Sequence, residues 1–247
     1  MARRDEIIAF ADDLLDLTSF RDYGPMGMQV VGADEVSKVV CGVSASRALF
    51  EHAAEAGAEL VLVHHGLFWD NEPRTIDRRM KHRLRTLFEA DITLAAYHLA
   101  LDAHPEIGNN VLLAREIGVT VDGPFAEIGV GGSFADSPTI DELCSRVSRA
   151  VGREPLVFAD GPERLERAAV VTGDGASYLT AAAAAGYDAF VTGEPAEPTM
   201  MAASELGINF VAGGHYATER LGVKALAARI AERFAVDWEF VELENPV

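Results

Sequence analysis

Two histidines stand side by side at the end of an apolar run, His64 and His65 in "LVLVHHGLFW" (residues 60–69). Paired imidazoles of this kind either ligate a transition metal or simply cap a strand and bond to backbone groups. Two further clusters weigh on the choice. "YHLALD" sets His98 four residues before Asp102, and "GHYATE" sets His215 four residues before Glu219. Imidazoles and carboxylates from separate parts of the chain form a donor mixture that suits zinc, iron, manganese or nickel. His64, His65, His98, His104 and His215 all lie in these motifs or within six residues of Asp102, leaving only His52 and His82 elsewhere. Histidines scattered through a core would not track strand ends in this way, so the pattern favours a metal site. Successive strand side chains point to opposite faces, so His64 and His65 serve one site only if the strand ends there and the backbone turns, which Gly66 permits.

The elements that deliver these residues are legible in the apolar periodicity. Ile7, Ile8, Phe10, Ala11, Leu14 and Leu15 recur at helical spacing and predict an amphipathic helix over residues 4–17. The runs "KVVCGV", "ELVLV", "ITLAAY", "RAAVVT", "DAFVT" and "INFVA" predict strands, separated by Ala- and Leu-rich helical patterns. The class is α/β, with mixed sheets covered by helices. "EIGVGGSF" predicts a short glycine-containing strand, and in "SPTIDELCSRVSRAVG" Thr139 and Glu142 form a capping-box pattern for a helix that stops at Gly152. "GVKALAARIAERF" and "DWEFVEL" predict a closing helix and strand.

The sequence also repeats. "AAEAGAELVLVHHG" (53–66) aligns without gaps on "AAAAGYDAFVTGEP" (182–195), placing Gly57 on Gly186, Glu59 on Asp188 and His65 on Glu194. Upstream, "VVCGVSAS" resembles "VVTGDGAS"; downstream, each copy runs into a His-x-x-x-acid pair. The pattern predicts two pseudo-repeated α/β lobes, residues 1–125 and 126–247, sharing one site.

With 49% hydrophobic residues in 247, the chain can bury one large core or two small ones, and length alone does not decide which. A formal charge of −18, from 39 acidic and 21 basic residues, repels nucleic acid and anionic membrane. Cys41 and Cys144 stand apart, which suggests neither a disulfide framework nor a zinc site and fits a reducing cytosol. Acidic residues interrupt the apolar positions of "MARRDEIIAFADDLLDL", unlike a signal peptide, and no run reaches membrane-spanning length. A cytoplasmic, unexported protein is expected.

The blocks "HHGLFW", "HLALDAHPEIGNN", "DAFVTGE" and "GGHYATER" resemble, in order and spacing, the signatures of the NIF-three-like family, the NGG-interacting-factor-three-like dinuclear metal proteins often named GTP cyclohydrolase I type 2 homologues. The resemblance runs from about Phe20 to about Leu226. It includes the opening segment "FRDYGPMGMQVVG", where Met26 stands in place of the asparagine of many members, and the length matches the compact bacterial form without an inserted domain. The resemblance implies a NIF-three-like fold and two divalent ions per chain, with His65 and Asp102 on one, His64 and His215 on the other, and Glu219 bridging. It also implies a toroidal homohexamer. So few protein ligands leave coordination positions for water or substrate. Two ions ~3.5–4 Å apart can lower the pKa of a bound water toward ~7, which suits metal-dependent hydrolysis of a nucleotide or related small molecule. Glu219 is then also a catalytic residue, with His98 as a proton-transfer or orienting group and His104 and Glu194 at the rim. A non-catalytic regulatory or scaffold protein that uses its metals structurally is the competing class.

Three other features have two readings each. "RRMKHRLR" (78–85) aligns Arg78, Lys81 and Arg85 on one helix face, either solvated or steering phosphate. "TGDGAS" (172–177) could cradle an anion but lacks a P-loop lysine, so a strand-to-helix turn is expected. Ser44 and Ser46 precede a helix and are expected as N-caps, with no G-x-S-x-G around them.

Overall fold

Leu60, Val61, Leu62 and Val63 form an unbroken apolar run, and a strand with no polar alternation belongs inside a parallel sheet. The computed structural model, which describes residues 1–73 and 75–247, has this arrangement. Those four side chains are at most 1% exposed in the strand Leu60–His65. Among the described residues, the sheet runs Asp237–Phe240, Lys38–Ser44, Leu60–His65, Thr93–Ala96, Gly27–Val30. The first four strands are parallel and the last is antiparallel. Helices Arg47–Glu55 and Arg78–Glu89 join the parallel strands and bury Leu49, Phe50, Ala53, Met80, Leu84 and Leu87 in one cluster with Val61 and Val63. Each fully buried Leu or Phe there contributes roughly 1.5–3 kcal/mol.

A second sheet runs Val119–Phe125, Gly129–Phe134, Arg167–Val171, Ala189–Thr192, Asn209–Ala212, Leu156–Ala159. Its middle strands, from Arg167 to Ala212, are mutually parallel, and the outer ones are antiparallel. Two apolar clusters lie against it, one around Leu143, Val147 and Leu165 and the other around Phe190 and Phe210.

The repeat read from sequence is present down to single hydrogen bonds. Helix Arg47–Glu55 is followed by Gly57 and helix Leu179–Ala184 by Gly186, both with positive φ. Each is followed two residues later by an acid. Glu59 Oε2 accepts the successive N–H groups of Ser37 and Lys38, each at 3.0 Å. Asp188 Oδ2 accepts those of Glu166 and Arg167 at 2.7 and 2.9 Å. In both copies the acid satisfies the opening backbone donors of the preceding strand, which accounts for a carboxylate in an otherwise apolar passage.

The compact units depart from the boundary at 125/126. One comprises Met1–Leu101 with Gly222–Glu244, the other Asp102–Leu221 with Asn245–Val247. Strand pairing is the reason: Asp237–Phe240 adds to Lys38–Ser44 of the first sheet, while Val119–Phe125 pairs with Gly129–Phe134 of the second. The first helix is also shorter than 4–17, covering Arg4–Leu14. Asp16 turns left-handed at φ 46°, and its carboxylate takes the hydroxyls of Thr18 (3.1 Å) and Ser19 (2.6 Å), a local alternative to helical hydrogen bonding. Helix Ile140–Val151 carries the capping box of Thr139 and Glu142 and ends at a left-handed Gly152. No described helix is long and apolar enough to cross a membrane. Cys41 and Cys144 are free, and burial pushes their thiols up to about 12 and about 11.

Candidate metal centre

In the first unit the strand Leu60–His65 ends on the paired histidines, so both rings can turn to the same end of the sheet. Their centroids are 4.7 Å apart, and His98, just past the neighbouring strand Thr93–Ala96, lies 4.9 Å from His64 and 5.4 Å from His65. One ring nitrogen of each lies within 4.8 Å of the others. Every ring is held from behind by an oxygen at Nδ1. His64 Nδ1 faces the Tyr97 carbonyl at 2.9 Å, His65 Nδ1 faces Ser44 Oγ at 3.2 Å, and His98 Nδ1 faces Asp22 Oδ1 at 2.8 Å. A carbonyl accepts only, so the neutral His64 ring carries its proton on Nδ1 and its lone pair on Nε2. Metal-ligating histidines are oriented in this way.

Ser46 caps helix Arg47–Glu55 as expected, accepting Leu49 N–H at 3.3 Å, but Ser44 does not cap; it orients His65 instead. Gly66 acts by close approach, not by a special turn. A Cβ there would stand 2.3 Å from Gln29 Nε2, and the Gln29 amide takes Leu67 N–H at 2.7 Å and donates to the Pro25 carbonyl at 2.7 Å.

In the second unit Asp102 is 4% exposed and Glu219 is 3% exposed, with carboxylate oxygens within 4.8 Å of each other. Buried acids need partners. Asp102 Oδ1 accepts Asn109 Nδ2 at 2.8 Å, and Asn110 Nδ2 donates to the Asp102 carbonyl at 3.1 Å. Asn110 Oδ1 in turn accepts the Thr172 backbone N–H at 2.6 Å. Glu219 lies 3.3 Å from His215 Nε2, and Glu194 Oε1 lies 3.1 Å from His215 Nδ1, so this histidine too has an oxygen at its back. "TGDGAS" is the expected strand-to-helix turn, entering a short 3-10 helix at Ala176. Gly173 within it has φ +67°, and a Cβ there would stand 2.1 Å from Glu219 Oε1 and 3.2 Å from His215 Nε2. His104 is occupied locally: its Nδ1 accepts the N–H groups of Glu106 and Ile107, each at 3.2 Å. Arg78, Lys81 and Arg85 are exposed on helix Arg78–Glu89, with Arg85 paired to Glu89 at 2.7 Å.

Burial tends to raise the Asp22 carboxyl, but hydrogen bonds and charge from His98, with the Leu99 and Tyr23 N–H groups, outweigh it and hold Asp22 below the usual range. Burial would likewise lower His215; Glu219 and Glu194 outweigh it and push it up to about 9. The sign follows directly. In the metal-free chain the raised His215 contributes stability that is complete below the unfolded value of ~6.5 and is lost as pH rises through about 9. A metal ligand cannot keep that proton, so at pH 7 metal uptake should release at least one proton, and apparent affinity should rise by up to about tenfold per pH unit through the neutral range. Titration calorimetry in buffers of different ionisation heat measures this. A proton count of zero would remove His215 from the ligand set.

Asp22, Ser44, Asn109, Asn110, Thr172 and Gly173, which hold or crowd these side chains, fall within the segments "FRDYGPMGMQVVG", "VVCGVSAS", "HLALDAHPEIGNN" and "TGDGAS", but nothing in those segments assigns them that part.

Known proteins resemble the chain over its whole length. The Duf34/NIF3 (NGG1p interacting factor 3) family matches residues 2–246. The GTP cyclohydrolase 1 type 2 homolog of Pseudomonas aeruginosa is 44% identical over 245 residues, 97% of each chain. The solved ybgI protein, described as of unknown function, superposes with a TM-score of 0.96 at 41% identity over 100% of both chains. A solved Thermus thermophilus protein gives 0.93 at 37% identity, also over 100% of both. A match from the second residue to the last but one, with relatives this similar over their whole length, leaves one conclusion: the chain belongs to the Duf34/NIF3 family.

Proposed function

We propose that the protein is a metal-dependent hydrolase that holds two divalent ions through His64, His65, Asp102, His215 and Glu219. The observation that carries this reading is that four histidines each have Nδ1 within 3.2 Å of an oxygen, from Tyr97, Ser44, Asp22 and Glu194. The carbonyl and carboxylates only accept, so the neutral rings of His64, His98 and His215 carry the proton on Nδ1 and turn Nε2 toward a metal; the Ser44 hydroxyl, by accepting from Nδ1, allows the same of His65. Imidazole and carboxylate donors together fit zinc, iron, manganese or nickel. Bound there, the ions would supply Lewis acidity and an ionised water near neutral pH.

The chain's own residues do the rest. Glu219 is the carboxylate that would be shared between the two ions. Asp102, fixed by Asn109, keeps one carboxylate oxygen in a set position. Asp22 holds His98 Nδ1, so His98 can pass a proton through Nε2 to a leaving group, or add a ligand beside His64 and His65. The curated relatives' name points to a nucleotide or similar small molecule as substrate. Elemental analysis at metal saturation tests the first step, with two ions per chain expected. Fewer than two ends the dinuclear reading, and failure of the loaded protein to turn over a broad panel of phosphate esters, peptides and nucleotides ends the hydrolase reading.

A further inference from the structure

Beside the histidine trio, in the same unit, lies a cavity that the hydrolytic reading does not use. It holds about 330 Å³, within the range of small-molecule sites. Its apolar wall includes Pro25, Leu67, Phe68, Trp69, Ile76 and Met80. Leu67 and Met80 are buried, while Phe68 is 39% and Ile76 70% exposed, so the cavity opens to solvent through apolar side chains. Asp70 and Glu72 also line it. Ionised carboxylates only accept hydrogen bonds, so an occupant meeting them has to donate.

The cavity adjoins the trio. A smaller cleft lined by His64 and His98 shares Pro25, Phe68 and Trp69 with it. The Trp69 ring stands edge-on to His98 at 5.1 Å and lies 6.0 Å from His65. The shared wall is also preformed. Gln29 ties the Pro25 carbonyl to the Leu67 N–H at 2.7 Å each, and Asp70 N–H donates to the Tyr23 carbonyl at 2.8 Å. Gly24 packs so closely that a Cβ would stand 2.3 Å from the Phe68 carbonyl oxygen. A wall held in this way needs no ordering on binding, which favours a rigid, flat occupant over a flexible one. Aromatic and proline faces favour the same occupant by stacking.

We propose that this cavity binds the planar heteroaromatic part of the substrate, a neutral or cationic ring bearing amino or ring N–H groups, with the bond to be hydrolysed presented to His64, His65 and His98. The catalytic consequence rests on the hydrolase reading above; the binding itself does not. Trp69 and Trp238 are the two tryptophans, so Trp238→Phe leaves Trp69 as the sole indole reporter. The chelated full-length protein would be titrated with adenosine, benzoate and N-acetyl-leucinamide while Trp69 fluorescence is read.

Saturable quenching by adenosine is expected, with benzoate and the leucine amide weaker by about tenfold or more. Phe68→Ser and, independently, Ile76→Ser should each weaken adenosine by about tenfold, whereas Phe88→Ser, 62% exposed in native form and absent from the cavity wall, should not. No saturation by ~10 mM adenosine, tighter binding of benzoate or the leucine amide, or indifference to both wall substitutions would overturn the proposal. Ring binding without turnover on metal loading defeats the hydrolase reading alone. Two ions and turnover without ring binding defeat the cavity alone.

Discussion

Gly173→Ala should keep the fold and lose the metals. At φ +67° an alanine costs about 1–2 kcal/mol, which most folded proteins survive. The larger effect is local: the new Cβ would stand 2.1 Å from Glu219 Oε1, and one of the two has to move. The backbone cannot withdraw easily. Gly173 N–H donates to Thr218 Oγ1 at 3.1 Å, and its carbonyl accepts the N–H of Gly193 at 2.9 Å and the Thr192 hydroxyl at 3.2 Å. The carboxylate therefore shifts, and a displaced ligand should weaken metal retention by about 10–100-fold or more. Gly186→Ala is the control, since φ there is +76° with nothing within 4 Å of the added Cβ. It should lower the melting temperature by a similar amount and leave metal content unchanged. A Gly173→Ala protein that still holds two ions would show that Glu219 is not a ligand.

Glu219→Gln should leave the metal-free protein folded and cut metal-dependent turnover by about 10²–10³-fold or more. The amide matches the carboxylate in shape but carries no charge and offers a single acceptor oxygen, so it cannot bridge two cations. The same substitution removes one of the two acids beside His215, the one 3.3 Å from its Nε2, and with only Glu194 left the imidazole should return toward its ordinary value. Fewer protons should then be released at pH 7 when metal is added. Turnover, proton release and melting temperature of this variant, set beside chelation of the native protein, separate the classes of function. Lost turnover with an unchanged melting temperature supports catalysis. A large fall in melting temperature on chelating the native protein, with turnover absent throughout, assigns the metals a structural role.

Buried parallel strands announce themselves in sequence because burial on both faces leaves no room for polar residues, and "LVLV" shows this directly. The repeat was legible for a related reason: Glu59 and Asp188 each serve two backbone donors, a task only an acceptor can do. Among the described residues, the strands that escaped notice are Gly27–Val30, Val119–Phe125 and Leu156–Ala159, which lie at sheet edges, and Ala2–Arg3 and Glu35–Val36, two residues each, which pair only with one another. Edge strands tolerate glycine and proline, and "VTVDGPF" holds both, which masks its strand pattern although it pairs across a register shift near Gly123. The candidate histidines were visible from their company, but the residues bonded to them were not. Asp22 meets His98 across 76 residues of sequence, and a single hydrogen bond between distant segments leaves no periodic trace.

The strand Asp237–Phe240 lies beside Lys38–Ser44, so the first unit takes its last strand from the far end of the chain. On the ribosome, Lys38–Ser44 emerges 193 residues, from 44 to 237, before that neighbour. Until then its outer edge keeps unpaired backbone groups, while most of the second unit, residues 102–221, emerges as one continuous stretch. The half made first is the last to close, and a nascent chain stalled before Asp237 presents to other chains an edge that the finished protein covers.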